Sequence, residues 1–117
     1  MGSKKSVKKL SVMAEQAYSM TSRIPKGRVS TYGAIARAIG REGASRAVGG
    51  VLRSNPHPIV VPCHRVVHSD GRIGGYGGSS GSGRKIRLLA SEGVKVRDGV
   101  VQDFQRVLFD DFSLAEK

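Results

Sequence analysis

Apolar positions along the first half of the chain recur at helical spacing. From Val7 to Ile24 the residues Val7, Leu10, Ala14, Ala17 and Ile24 stand three, four or seven positions apart, which puts them on one helical face. Pro25-Lys26-Gly27 ends that helix. After a short extended piece around Val29, Ser30 or Thr31 caps a second helix with Ile35, Ala36 and Ile39 as its apolar positions and Gly40 as its stop. A third begins near Ala44 or Ser45, carries Val48, Val51 and Leu52 inward and leaves Arg46 and Arg53 on other faces. Gly40-Arg41-Glu42-Gly43 joins the last two, which makes them a helix-turn-helix candidate. Many helix pairs in ordinary cores carry the same pattern.

The second half reads differently. Asn55-Pro56-His57-Pro58 cannot be helical, since each proline removes a donor and biases its predecessor towards extended geometry. Ile59, Val60 and Val61 are expected to form a buried extended run that delivers Cys63 into the interior. Val66 and Val67 lead to a turn at Ser69-Asp70-Gly71 and to a glycine-rich stretch from Gly74 to Gly83, which reads as a loop bordering a site. Helical pattern returns from Arg84 to Glu92 through Ile86, Leu88 and Leu89, with Gly93 closing it. Val94, Val96, Val100 and Val101 flank Asp98-Gly99, a hairpin signal, and Phe104, Val107 and Leu108 suggest a last short helix.

A chain of 117 residues with 38% hydrophobic content supports one domain and one modest core. The expected organisation is a flexible N-terminus over 1–7, a domain over 8–112 and a tail over 113–117. The expected fold is α+β, mainly helical, with short strands and a winged helix-turn-helix-like arrangement. Twenty Lys and Arg against nine Asp and Glu give a formal net charge of +11, which makes nucleic acid the leading partner and solubility the plain alternative. No signal-peptide run follows Met1-Gly2-Ser3-Lys4-Lys5, and no segment approaches the roughly 20 apolar residues of a membrane span. The expected location is therefore intracellular, cytoplasmic or nucleoid/nuclear, without membrane association. One cysteine cannot make an internal disulfide, and three His with one Cys lack zinc-site spacing, so no metal is expected.

Chemistry centres on Pro62-Cys63-His64-Arg65-Val66. A thiol is a good nucleophile only as thiolate, so a cysteine of ordinary pKa, about 8.5, needs a base, a cation or a helix N-terminus nearby. His64 is adjacent, but consecutive side chains in an extended segment point apart, so a base role requires a water or a local bend. A carboxylate should then orient the imidazole, and Glu92 is the candidate. On composition alone, a lone cysteine is more often a small buried hydrophobe.

The runs Ile24-Pro25-Lys26-Gly27-Arg28-Val29-Ser30-Thr31-Tyr32, Arg46-Ala47-Val48-Gly49-Gly50, Asn55-Pro56, Pro62-Cys63-His64-Arg65-Val66-Val67 and Leu88-Leu89-Ala90-Ser91-Glu92-Gly93 occur in an order that resembles the O6-alkylguanine-DNA alkyltransferases. The chain is similar to that family's C-terminal catalytic and DNA-binding domain over about residues 8 to 109. The resemblance implies that Cys63 accepts the alkyl group once, that His64 takes the thiol proton through water and that Glu92 holds the imidazole. It implies that Tyr32 presses on the phosphate 3′ to the lesion and that Arg46 fills the place vacated by the flipped base. It also implies that Gly33, Ala47, Gly49 and Ser69 join these two in the DNA contact. The resemblance further implies that Tyr32, Leu52, Asn55, Val66 and Tyr76 line the substrate pocket. Duplex DNA carrying O6-alkylguanine would be entered from the minor groove with little sequence preference, by a monomer and without a cofactor.

The chain departs from the family pattern in three places. The glycine- and serine-rich loop from Gly77 to Gly83 is long, Arg87 stands where relatives commonly carry a bulkier residue, and His68 lies in the segment near DNA. Adduct range is therefore open. Three alternatives remain: a lesion sensor that binds without transfer, which typically lacks the cysteine; a cysteine hydrolase, which would need an oxyanion site and turnover; and a winged-helix regulator with no task for the thiol.

Overall fold

The computed structural model describes residues 2–54, 60–74 and 82–112. Asn55, Tyr76 and the tail over 113–117 lie outside the described residues. Three helices open the chain: α1 (Gly2–Thr21), α2 (Tyr32–Ala38) and α3 (Ser45–Arg53). Helix α1 begins at Gly2, ahead of Val7 where the apolar pattern starts, and so takes in residues of the segment expected to be a flexible N-terminus. Lysines 4, 5, 8 and 9 are good helix formers, and no proline interrupts them. Met13, Ala17, Thr21 and Ile24 face inward from α1 and the turn after it.

Thr31, not Ser30, caps α2. Its extended backbone (φ −125°, ψ 157°) aims its hydroxyl at the Ala34 amide, which donates to it at 3.0 Å. Ser30–Thr31 is also the short strand β1, which pairs in parallel with β2 (Val66–Val67), Ser30 opposite Val66 and Thr31 opposite Val67. Helix α4 (Ser82–Ser91) ends in a Schellman motif: the Val94 amide donates to Leu89 O, the Gly93 amide donates to Ala90 O, and Gly93 takes φ +87°. Strands β3 (Val96–Arg97) and β4 (Val100–Val101) form the expected antiparallel hairpin, with positive φ at both Asp98 and Gly99. The short helix α5 (Phe104–Val107) follows. The fold is thus α+β, about half helical, with short strands.

Among the described residues there are two apolar clusters instead of one core. Met13, Ala17, Ile24, Ala34, Ile35, Val48, Leu52, Val61, Cys63 and Val66 belong to the first, and Val29, Val67, Ile73, Leu89, Val94, Val101 and Val107 to the second. Adjacent residues of β2 point to opposite faces, so Val66 serves one cluster and Val67 the other.

The Ile59-Val60-Val61 expectation needs correction. Val61 is buried, Val60 is 79% exposed, and Ile59 lies outside the described residues. Val60 stands in a turn just before the Val61-Pro62 step rather than in a strand, so of the two described residues Val61 alone faces inward.

Candidate functional site

Cys63 is delivered by two consecutive tight turns. Pro62 (φ −79°, ψ 65°) is the centre of an inverse γ-turn closed by the Cys63 amide donating to Val61 O at 2.7 Å. The chain then enters a 3-10 turn over Cys63–Arg65, with the Arg65 amide donating to Pro62 O at 2.9 Å. At three residues per turn, successive side chains diverge by a third of a circle rather than by half. Cys63 and His64 therefore sit in a local bend rather than on a straight extended segment. Cys63 and His64 are both buried, at 6% and 1% exposure.

Glu92 collects two basic side chains from this turn. His64 Nε2 lies 3.1 Å from Glu92 Oε2, Arg65 Nε donates to Oε1 at 2.9 Å, and Arg65 Nη2 donates to Oε2 at 2.6 Å. Arg65 Nη1 also donates to Ile24 O at 2.8 Å, which ties the site to the turn that follows α1. Burial alone would raise the Glu92 carboxyl, but its hydrogen bonds with Arg65 and His64 outweigh that and hold it below the ordinary carboxylate range. Burial depresses the His64 pKa despite the carboxylate beside it, so the neutral imidazole is favoured. With Nε2–H donating to Glu92, Nδ1 is the basic nitrogen.

Lys85 is a site residue that the sequence pattern did not reveal. It is fully buried on α4, its Nζ donates to Val66 O at 2.6 Å, and it lies 3.5 Å from the Tyr32 hydroxyl. The ammonium stands 5.8 Å from the Tyr32 ring centroid. Burial pushes its pKa down to about 7, against an upward pull from a thiolate at Cys63. Burial and the same thiolate raise the Tyr32 hydroxyl, with Arg53 pulling it down. The available signal was spacing: Lys85, Leu89 and Glu92 stand at i, i+4 and i+7.

Parallel pairing of β1 with β2 places the residues that follow them side by side. Tyr32 follows Thr31 and His68 follows Val67, and their rings meet at 5.1 Å between centroids. A cleft of about 400 Å³ opens beside this contact, lined by Tyr32, Gly33, Ser45, His68, Ser69, Asp70 and Arg72. Among the expected DNA-contact residues, Tyr32, Gly33 and Ser69 thus share one cleft, while Arg46 and Ala47 are exposed on α3 outside its lining. Gly49 faces the Tyr32 ring, where a Cβ would meet Cδ1 at 3.7 Å. Leu52 and Val66 are buried in the same cluster as Cys63. Arg65, Lys85 and Ser45 are additions to the set read from the sequence. Among the described residues, no group of His, Cys, Asp or Glu side chains is arranged to hold a metal ion. No described helix is long and apolar enough to cross a membrane.

Comparison with known proteins matches residues 12–94 to the family of the 6-O-methylguanine DNA methyltransferase, DNA binding domain. The chain is 40% identical over 95 residues to a bifunctional methyltransferase/endonuclease of Thermoplasma volcanium, covering 81% of this chain and 30% of that protein. Its fold is similar to Mycobacterium tuberculosis OGT in complex with DNA, with TM-score 0.64, 44% identity, and 68% and 48% of the two chains covered. S. pombe Atl1 in complex with damaged DNA containing O6-carboxymethylguanine gives TM-score 0.75 at 33% identity, over 85% of this chain and 95% of that one. The chain therefore spans about a third of the bifunctional relative, half of the OGT chain and nearly all of Atl1.

Proposed function

The chain belongs to the 6-O-methylguanine DNA methyltransferase, DNA-binding-domain family, and from that premise we propose that it repairs duplex DNA by moving the alkyl group of O6-alkylguanine onto Cys63. The observation that carries this reading is the buried arrangement itself: a thiol in a tight turn, a buried imidazole on the next residue, and that imidazole 3.1 Å from the Glu92 carboxylate. His64 takes the thiol proton through a water molecule, and the sulfur attacks the alkyl carbon. The carbon–O6 bond breaks with its electron pair going to O6, the base regains a proton as guanine, and a thioether remains on Cys63. No group restores the thiol, so each molecule acts once, and the displacement uses no cofactor.

A base inside a duplex cannot present O6 to a thiol that is 6% exposed, so the nucleotide leaves the stack at a cost of a few kcal/mol. Tyr32 presses on the 3′ phosphate, and Arg46, exposed on α3, occupies the vacated place. Gly49, close against Tyr32, and Ala47 let the helix approach the backbone from the minor groove with little base readout. The Lys85 ammonium and a Cys63 thiolate favour each other electrostatically, which helps charge the nucleophile inside a buried site. The protein works as a monomer inside the cell.

The fold shared with Atl1 favours a second reading, a sensor that binds the lesion and leaves the alkyl group in place. Intact-mass measurement after incubation with an O6-methylguanine duplex separates the two. A stoichiometric gain of one methyl group that Cys63→Ala abolishes supports transfer; tight binding without mass gain supports the sensor, and multiple turnover would point to a hydrolase instead.

A further inference from the structure

The turn after β2 carries side chains that the thiol chemistry does not use. It is held firmly: the His68 amide donates to Arg72 O at 2.8 Å, the Gly71 amide to His68 O at 2.9 Å, and the Arg72 amide to Asp70 Oδ1 at 3.0 Å. The β3–β4 hairpin braces it from outside, through Ile73 N–H to Gly99 O at 3.0 Å and Val101 N–H to Gly71 O at 2.8 Å. His68 is exposed and lies against the Tyr32 ring, 5.1 Å between centroids. A Cβ at Gly74 would come within 2.9 Å of its Nε2 and 3.3 Å of the Tyr32 hydroxyl, and Gly74 itself takes φ +62°.

Across the cleft of about 400 Å³ from this turn stand Tyr32 and Ser45, at the starts of α2 and α3. The lining is rich in donors: the hydroxyls of Ser45 and Ser69, the His68 imidazole and the Arg72 guanidinium. Its one carboxylate, Asp70, holds Arg72 by an ion pair at 3.4 Å, and both side chains are mostly exposed, at 58% and 75%. Exposed pairs of this kind are worth little, so a competing anion releases Arg72 at small cost. A phosphodiester fits this set, because a planar guanidinium fork binds two oxygens of one phosphate and hydroxyls bind the rest.

We propose that the cleft is a clamp for one backbone phosphate of duplex DNA, in which Arg72 binds the phosphate oxygens, His68 positions Tyr32 against it, and Asp70 parks Arg72 while the protein is unbound. The inference rests on the reading of the partner as duplex DNA and is independent of alkyl transfer.

Binding by fluorescence anisotropy tests it on a Cys63→Ala background, with duplexes in which one O6-methylguanine fixes the register and single phosphates are replaced by neutral methylphosphonates. Arg72→Gln should weaken binding to the all-phosphate duplex about tenfold and make the slope of log affinity against log salt shallower by about 0.9. On the duplex neutralised at one phosphate, that penalty should vanish, and the His68→Ala penalty should vanish at the same one. Asp70→Asn should tighten binding. An Arg72→Gln penalty of equal size at every methylphosphonate position, or an Asp70→Asn variant no tighter than the parent, overturns the clamp. Parent protein that binds no duplex overturns the DNA reading beneath it, whereas binding by the unsubstituted chain without mass gain at Cys63 removes only the transfer step. The residues substituted on that background are exposed, and equal melting temperatures confirm that folding is intact in each variant.

Discussion

Lys85 shows how far a single residue can stand from its expected place. An ammonium loses most of its hydration on burial, so a lysine on a helix is ordinarily assigned to solvent, and the pattern of Ile86, Leu88 and Leu89 left it there. Here one carbonyl, one phenol and the thiol's own charge replace the water. The pH dependence has a definite sign. Folded Lys85 releases its proton near pH 7 while the unfolded lysine keeps it to about 10.5, so between those values the unfolded chain holds more protons and stability rises with pH. Urea unfolding at pH 7 and 9 should show that rise, by at most about 1.4 kcal/mol per pH unit from this group. Lys85→Met should flatten it, and a variant with the parent's full slope would refute the assignment. Glu92→Gln takes away the charge that holds His64 and Arg65, and if Cys63 accepts the alkyl group as proposed, the rate of transfer from free O6-benzylguanine should fall about a hundredfold. That His64 and Glu92 would meet was legible, because a base beside a thiol calls for a carboxylate to orient it, and the two stand 3.1 Å apart. Arg65 and Lys85 were not, because their roles depend on which way a turn and a helix face point.

At the scale of elements, one pair of two-residue strands organises the site. β1 sets Thr31 as the cap of α2, and its parallel partner β2 starts where the Cys63 turn ends. Tyr32, His68 and Cys63 therefore inherit their relative positions from a ladder too short for sequence periodicity to register. The helices and the Asp98-Gly99 hairpin were legible because their signals are local. The approach to Cys63 was misread because Ile-Val-Val has strand composition, and only the Pro62 γ-turn, a matter of two dihedral angles, shows that the chain bends. Thr31→Ala removes the oxygen that accepts the Ala34 amide and should cost about 1 kcal/mol in chemical denaturation. Thr31→Ser keeps that oxygen and should recover most of the loss. If serine proves no better than alanine, the cap is not what holds the start of α2.

Over the whole molecule, two apolar clusters meet along Val66–Val67, and residues 107–112 fasten them together. Val29 N–H donates to Val107 O at 2.9 Å, Phe109 N–H donates to Val29 O at 2.6 Å, and the Arg28 guanidinium binds the carbonyls of Val107 and Leu108. Three residues on, Phe112 inserts into the first cluster, edge-on to Phe109 at 5.2 Å between centroids, while Val107 belongs to the second. The connection predicts cooperativity. If the seam and the latch couple the clusters, Phe112→Ala should cost about 3–5 kcal/mol and lower the stability of both together, although the deleted ring touches one. Amide hydrogen exchange reads each cluster separately: the Val29 amide reports the second through its bond to Val107, and the α2 amides report the first. Equal losses of protection at the two places are expected. A large loss in α2 with Val29 unchanged would mean that the thiol-bearing half opens alone, and that β2 joins two independent units.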